Sequence, residues 1–301
     1  MTGFDDLLQR RLRHLQVAYD HNSRAVWVEF KYQYRPCFSR GLLDDLSMVQ
    51  RFIKQSVCTD YRQGKSNRLL FQIIASTDKQ VFNLGGDLAY FIRLISAGNR
   101  EALRQYAKTC IDIQYASITH YGVPFTTLAL VEGTALGGGF EAALSSNILI
   151  AETRARFGFP EVTFGMFPGM GALSLLIRKI SPTMARRLIM DHRVYSASEL
   201  YELGVVDILV QDGQGRKAVS EYMRRNIIKA HGLHGFQAAI DRVLPVAYDE
   251  LSDIVDLWVD CALQLSEKNR RLMGYFARAQ TKRFSATESL VNEESTQLIS
   301  R

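Results

Sequence analysis

Hydrophobic and polar positions follow two alternating periods along the first half of the chain. Short apolar runs typical of buried strands are separated by longer stretches in which apolar residues recur at helical spacing. The strand-like runs are Ala25–Phe30, Leu69–Ala75, Thr126–Val131 and Ile148–Ala151. The helical stretches are Leu42–Ile53, Leu88–Ile95 and Ala102–Ile118, and Ala135–Leu144 has the pattern of a loop that enters a helix. This order of strands and helices predicts an α/β domain.

The second half of the chain, from Ser196 onward, has a mostly helical pattern. Its longest periodic stretch is Ala247–Gln280, which places Leu251, Val255 and Trp258 on or near one apolar face. We therefore predict two regions, a core at residues 1–210 and a helical region at residues 211–301. Such a helical region either caps a site on the core or forms a subunit interface, and the pattern leaves both open.

The composition indicates a globular protein with a moderate positive charge. Of the 301 residues, 47% are hydrophobic, which is enough for a buried core. The 37 Lys and Arg residues against 31 Asp and Glu give a net charge of +6. Because the sequence has no Lys/Arg-rich run and no nucleic-acid-binding motif, we predict no nucleic-acid partner. The basic excess would suit an acidic partner, although charge scattered over a solvated surface explains it equally well.

The same pattern bears on location and cofactors. No apolar stretch approaches the ~18 residues of a membrane-spanning helix, and Met1–Asp20 lacks the apolar segment of a secretory signal. Neither the histidines nor the four cysteines have metal-ligand spacing; the cysteines are Cys37, Cys58, Cys110 and Cys261. We therefore predict a cytoplasmic protein with free thiols, no membrane span, no metal and no other cofactor.

Two glycine-rich turns each stand before a helical stretch. Paired glycines such as Gly85-Gly86 allow the backbone to approach a ligand and to aim an N–H group into a cavity, and Asp87 would cap the following helix. The three glycines Gly137–Gly139 would expose N–H groups at a helix start, where a developing negative charge or a phosphate is favoured. Each turn, taken alone, is equally a tight connection between a strand and a helix.

Two glutamates accompany these turns. Glu141 stands just inside the helix that follows the three glycines, and taken alone it is a first-turn glutamate stabilised by the helix dipole. Glu161 is set among apolar residues and a proline, so burial would raise its pKa and allow it to carry a proton near neutrality. Taken alone, it is equally an exposed loop carboxylate. The sequence contains no nucleophile elbow, P-loop or zinc-protease motif.

In combination, these segments resemble the crotonase superfamily, the enoyl-CoA hydratases and isomerases. The order is G-G-D at Gly85–Asp87, G-G-G-F-E at Gly137–Glu141, F-P-E at Phe159–Glu161 and P-G-M-G at Pro168–Gly171. The chain is most similar to one branch, the diffusible signal factor synthases, which are bacterial quorum-sensing enzymes that make cis-2-unsaturated fatty acids. This closer similarity covers roughly residues 26–283 and includes Arg35–Ser39, Phe82–Leu88, Ala135–Ser145, Phe167–Ala172, Trp258–Asp260 and Gln264–Lys268.

The resemblance implies a fold and a set of roles. The fold would be a spiral of repeated ββα units with a helical C-terminal region, usually assembled as a homotrimer. The N–H groups of Gly86 and Gly138 would form an oxyanion hole, and Glu141 and Glu161 would be the paired acid and base. The substrate-binding residues would be Gly85, Leu136, Gly137, Met170, Trp258 and Phe276.

The activity that the resemblance implies is dehydration of a 3-hydroxyacyl acyl carrier protein, followed by thioester hydrolysis that releases a cis-2-unsaturated fatty acid. The first alternative is an ordinary enoyl-CoA hydratase or isomerase, which shares the glutamates and the oxyanion hole. The second is a crotonase-fold protein that binds the receiver domain of a sensor kinase without catalysis; retention of both glutamates and both glycines argues against it. Acyl chain length, branching and the assignment of acid and base stay open.

Overall fold

Two β-sheets organise the part of the chain that the computed structural model describes, residues 12–66 and 68–281. The larger sheet has six strands, which are adjacent in this order: β1 (Leu15–Asp20), β2 (Ala25–Phe30), β3 (Phe71–Ser76), β5 (Thr126–Val131), β7 (Ile148–Glu152) and β10 (Ile208–Val210). The smaller sheet has four: β4 (Val81–Asn83), β6 (Thr134–Leu136), β8 (Arg156–Gly158) and β9 (Tyr195–Ser196). Neighbouring strands are parallel except for the pairs β1–β2 and β8–β9.

The helices lie between and after these strands. They are α1 (Arg40–Arg62), α2 (Leu88–Ser96), α3 (Arg100–Ile118), α4 (Gly138–Leu144), α5 (Ala172–Lys179), α6 (Pro182–Met190), α7 (Ala197–Glu202), α8 (Gly215–Asn226), α9 (Ala230–Val243), α10 (Tyr248–Leu263) and α11, which is helical over residues 267–281. A short 3-10 helix, Pro160–Phe164, follows β8.

One connection is repeated three times. The strands β3, β5 and β7 lie in the larger sheet, and each is followed directly by β4, β6 or β8, which lie side by side in the smaller sheet. Each of these short strands then leads into helical structure: α2 and α3 after β4, α4 after β6, and the 3-10 helix after β8. The predicted spiral of ββα units is confirmed.

The core explains why the central strands read as continuous apolar runs. Every residue of β3 and β5 is buried, because helices cover both faces of the parallel sheet. Helices α1 and α3 cover one face, and α8 covers the other with Val219 and Met223. Helix α1 begins at the cap Ser39, whose side chain accepts a hydrogen bond from Leu42 N at 3.3 Å. The space between this sheet, α1 and α3 is a cavity.

Several elements differ from the sequence-based expectation. The strand β1 was not predicted; it pairs antiparallel with β2, with Leu15 opposite Phe30. The short strands of the smaller sheet were also missed, because two or three residues carry no measurable period. The periodic stretch Ala247–Gln280 is two helices, since Ser266 interrupts it and accepts a hydrogen bond from Asn269 N at 3.2 Å.

The predicted division at residue 210 stays a prediction; α8, the first helix beyond it, packs directly on β5 and β7. All four cysteines are unpaired, as expected. None of the helices in the described part of the chain has both the length and the apolar character needed to cross a membrane. The end of the chain from residue 282 lies outside the described residues.

Candidate active site

The first glycine turn connects β4 to α2 and is held by side chains on both sides. Gly85 has φ +89°, a conformation that favours glycine, and its N–H donates to Asn83 Oδ1 at 2.7 Å. Asp87 caps α2, as predicted, by accepting from Tyr90 N at 3.1 Å, and it also pairs with Arg35 at 3.1 Å. The N–H of Gly86 has no hydrogen-bond acceptor among residues 12–66 and 68–281.

The second glycine turn connects β6 to α4 and lies against the first. Gly137 has φ +51° and donates its N–H to Gly158 O at 2.9 Å, so α4 starts at Gly138. A methyl group built on Gly138 would lie 3.6 Å from Gly86 N, and one built on Gly85 would lie 3.1 Å from Gly138 N. The two N–H groups expected to form an oxyanion hole are therefore neighbours, and in the described part of the chain Gly138 N–H also lacks an acceptor.

Glu141 is buried one turn into α4, with 1% of its surface exposed. Its Oε1 accepts hydrogen bonds from two backbone N–H groups, Met170 N at 2.8 Å and Ala172 N at 3.0 Å. Burial raises the pKa of Glu141 to about 7, and the two hydrogen bonds, which favour the ionised form, limit the rise. The P-G-M-G segment in the sequence therefore serves to hold this carboxylate.

Glu161 lies in the 3-10 helix that follows β8. A methyl group on Gly137 would collide with Glu161 Oε1, which places the carboxylate directly over the second glycine turn. Its Oε2 is buried and has no hydrogen-bond partner among the described residues. Burial, and secondly the charge of Glu141, raise the pKa of Glu161 to about 8. Near neutral pH the two carboxyl groups together therefore hold about one proton, and because the charge of Glu141 acts on Glu161 their titrations are coupled.

Both glutamates and both glycine turns line one cavity, which together with the open solvent at its mouth encloses about 960 Å³. One wall is formed by β2 and β3, and two others by α1 and α3; the apolar residues of these walls are Val28, Phe30, Ile74, Leu43, Leu46, Val49, Cys110 and Ile113. Around the glutamates the lining is completed by Phe164, Met166, Met170, Trp258 and Met273. The cavity follows α3 from Tyr106 to Ser117, eleven residues or about 16 Å at the helical rise of about 1.5 Å.

The far end of this cavity is polar, which the sequence analysis missed. Gln50 Nε2 donates to Ile113 O at 2.8 Å and to Ser117 Oγ at 3.4 Å. Beside them, Tyr121 OH donates to Gln72 Oε1 at 2.5 Å. The sequence did contain features that could have indicated this polar end. Gln50 lies on the apolar face of α1, and Gln72 lies inside the apolar strand β3.

The other residues expected to bind substrate differ in their position relative to the cavity. Met170 and Trp258 line the cavity, and Trp258 packs on Gly169. Leu136 is not among the described lining residues; its side chain lies against Gly158. Phe276 stands behind the lining residue Phe164, with ring centroids 5.5 Å apart. The roles of all these residues, including those of Gly85 and Gly137 in the turns, stay predictions. No metal-ligand cluster of three His, Cys, Asp or Glu residues occurs in the described ranges.

Comparisons with known proteins agree with this geometry. The enoyl-CoA hydratase/isomerase family model matches residues 59–234, more than half of the chain. The crotonyl-CoA hydratase of Syntrophomonas wolfei is 31% identical over 188 residues, which cover 59% of this chain and 69% of that protein. The 2,3-dehydroadipyl-CoA hydratase of Escherichia coli is 31% identical over 165 residues, 50% of this chain and 62% of that protein. In the fatty acid oxidation complex subunit alpha of Pseudomonas syringae, the match spans 21% of the relative.

Solved structures share the architecture. An enoyl-CoA hydratase/isomerase from Xanthobacter autotrophicus superposes with a TM-score of 0.72 at 18% identity, over 92% of this chain and 97% of that chain. Pseudomonas aeruginosa DspI superposes with a TM-score of 0.66 at 20% identity, over 81% of this chain and 95% of that chain. At such identities the likeness shows the fold alone. Together with the family model, which spans both glycine turns and both glutamates, these matches show that the chain belongs to the enoyl-CoA hydratase/isomerase family and has the crotonase fold.

Proposed function

We propose that the chain is a diffusible signal factor synthase: it dehydrates a 3-hydroxyacyl acyl carrier protein and then hydrolyses the 2-enoyl thioester to release a cis-2-unsaturated fatty acid. The observation that carries the proposal is the placement of the buried Glu141 and the half-buried Glu161, beside two glycine N–H groups without acceptors, in one mostly apolar cavity. Each part of this arrangement corresponds to one requirement of the reaction.

The first requirement is to acidify the carbon next to the thioester carbonyl. When its proton leaves, negative charge develops on the thioester oxygen. The N–H groups of Gly86 and Gly138 would stabilise that oxygen, and removal of one such donor in other enzymes costs about 3 kcal/mol of the activation barrier. Because the lining of the cavity is mostly apolar, these dipoles act at a lower dielectric than in water and need no reorganisation.

The second requirement is a base and an acid in one site. The ionised member of the pair Glu141 and Glu161 takes the α-proton, and the protonated member gives its proton to the 3-hydroxyl group. The C3–O bond breaks, water leaves and the C2=C3 bond forms. The pair still holds one proton afterwards, now on the other carboxylate.

Hydrolysis uses the same groups. A carboxylate takes a proton from water, the resulting hydroxide attacks the thioester carbon, and the N–H groups hold the tetrahedral oxyanion. The C–S bond then breaks, the carrier thiolate takes the proton back, and the free acid is released. Two activities in one site therefore need no additional catalytic residue.

The choice of substrate rests on the close similarity of the motifs and on the shape of the cavity. Its length of about 16 Å corresponds to roughly a dozen carbons of an extended chain, at a C–C bond length of about 1.5 Å. A four-carbon crotonyl group would reach only part of this apolar length, whereas a long acyl chain would bury its methylene groups along it at about 0.8 kcal/mol each.

An enoyl-CoA hydratase is the second candidate, because two curated relatives with that activity are each 31% identical to the chain. The two candidates differ in substrate and in product. Purified protein is incubated in parallel with 3-hydroxydodecanoyl acyl carrier protein and with crotonyl-CoA, and free acid and hydrated product are quantified by mass spectrometry. Release of the unsaturated acid supports the synthase; rapid hydration of crotonyl-CoA without release supports the hydratase.

We also propose that the chain assembles as a homotrimer. Helix α9 exposes Phe236, Ile240 and Val243 at helical spacing, so they form one apolar face that a second copy could cover. Light scattering should give about three times the 34.1 kDa chain mass, and Phe236→Asp should lower the measured mass.

The receiver domain of a sensor kinase is a second proposed partner, bound either by the active enzyme or by a protein without catalysis. Adding that domain to the light-scattering measurement would test this binding.

A further inference from the structure

The last described helix, α11, crosses the active site and touches it at three levels. Met273 lines the cavity, and Phe276 packs on Phe164, the last residue of the 3-10 helix that carries Glu161. One turn further along, Gln280 reaches the first glycine turn. Its Nε2 donates to Leu84 O at 3.0 Å and to Gly86 O at 3.1 Å. Only 4% of Gln280 is exposed.

These contacts complete a set of three restraints on successive peptide groups. Gln280 holds the carbonyls of Leu84 and Gly86, and the carbonyl between them, that of Gly85, accepts from Phe38 N at 2.8 Å. In a planar trans peptide the C=O of one residue and the N–H of the next point in opposite directions. The bond from Phe38 therefore aims the N–H of Gly86 away from Phe38, and Gln280 fixes the peptide groups on either side.

Such restraint is needed because two adjacent glycines have unusual conformational freedom. Without it, the Gly86 peptide could rotate and its N–H would leave the position facing the thioester oxygen. The amide of Gln280 is also a poor choice for packing alone. Its Oε1 is buried without a partner among the described residues, a cost that an apolar side chain of similar size would avoid.

We propose that Gln280 is a positioning residue of the oxyanion hole: by holding Leu84 O and Gly86 O it keeps the Gly86 N–H directed at the thioester oxygen. Helix α11 also contacts the segment that carries Glu161, through Phe276 and Phe164. One helix therefore sets the distance between the oxyanion hole and this glutamate. This inference rests on the proposed use of Gly86 N–H in thioester chemistry.

The kinetic test compares Gln280→Met, which keeps the size but removes the donors, with Arg278→Met, an exposed substitution on the same helix. Because the interaction strengthens only as charge develops on the oxygen, kcat should fall roughly 10- to 100-fold in Gln280→Met, with KM within about threefold of wild type. Arg278→Met should change neither. Gln280→Glu should lose activity further as pH rises, since the introduced carboxyl group can donate only when protonated. The proposal would be overturned if Gln280→Met kept the kcat of wild type. It would also be overturned if the fall in kcat were explained by a lower melting temperature that leaves less folded protein in the assay.

A second measurement does not depend on turnover. Dodecanoyl-CoA, isotope-labelled at the thioester carbonyl, is bound to the Glu141→Gln/Glu161→Gln protein with and without Gln280→Met, and the carbonyl stretch is recorded by infrared difference spectroscopy. Binding should shift the stretch to lower frequency, and Gln280→Met should reduce that shift by half or more. An unchanged shift refutes the role of Gln280. If the wild-type protein converts neither 3-hydroxydodecanoyl acyl carrier protein nor crotonyl-CoA, the proposed function fails. The shift of the carbonyl stretch still decides the role of Gln280.

Discussion

Replacing Glu141 with glutamine should stabilise the folded protein at neutral pH while removing its activity. The glutamine Oε1 can accept the same hydrogen bonds from Met170 N and Ala172 N. It cannot ionise, so the folded protein no longer has to hold a buried charge. The carboxyl group of Glu141, which we propose is needed for activity, would therefore lower the free energy of unfolding of the wild-type protein.

The magnitude and sign follow from the pKa of Glu141, which burial raises from 4.5 to about 7. The folded state binds the proton more tightly than the unfolded chain, so this stabilisation is complete below pH 4.5 and is lost as pH rises toward 7. At 1.36 kcal/mol per pKa unit, the loss is roughly 3 kcal/mol. The unfolding free energy of Glu141→Gln minus that of wild type should therefore increase by this amount between pH 4.5 and 7, and stay constant above.

Urea unfolding, followed by circular dichroism at half-unit steps from pH 4 to 9, measures this difference. Glu202→Gln is the matched control, because Glu202 is exposed and its substitution should change the unfolding free energy by less than about 0.5 kcal/mol at every pH. A difference for Glu141→Gln that is flat across the range would refute the argument, since it would mean that the buried carboxyl carries no raised pKa.

Three other perturbations test separate parts of the site. Dehydration needs one ionised and one protonated carboxyl group. A plot of kcat/KM against pH should therefore be bell-shaped, with limbs near the pKa values of about 7 for Glu141 and about 8 for Glu161. A plateau from pH 5 to 9 would contradict this. Gln72→Ala should open the polar end of the cavity and shift the preferred substrate by two or more carbons; mass spectrometry of competing acyl chains would show no shift if this end does not limit length. Gly137→Ala should lower activity more than about 100-fold because its methyl group displaces Glu161; Gly64→Ala, which shares a positive φ but has open space around it, should lose only about 1–2 kcal/mol of stability. Similar activity losses in both alanine variants would indicate a general folding defect.

The sequence predicted the elements that have a clear period and the residues that have a distinctive neighbourhood. Strands such as Thr126–Val131 match residue for residue, because a fully buried parallel strand is a continuous apolar run. Short strands, such as Thr134–Leu136, exist only through pairing with partners distant in sequence, so no local pattern reveals them. Glycine turns could be recognised because three consecutive glycines have few structural reasons to occur.

Parts of the site that depend on distant contacts could not be predicted. Gln280 and Gly86 are 194 positions apart, and nothing in the sequence around either residue indicates that they meet. The same holds for Gln50, whose side chain bonds to Ile113 on another helix. The raised pKa of Glu161 was anticipated from its apolar neighbours. That the charge of Glu141 raises it further follows only from the cavity they share.

The most direct test of the proposed function is the release of free acid from a carrier-bound substrate. Purified wild-type protein, Glu141→Ala and Glu161→Ala are each incubated with 3-hydroxydodecanoyl acyl carrier protein, and free 2-dodecenoic acid is quantified by mass spectrometry. The wild-type protein should release the acid, and each variant should lose at least about 100-fold of that rate, as expected when a general acid or base is removed. No release by the wild-type protein, or wild-type release by both variants, would contradict the assignment of these two glutamates to this reaction.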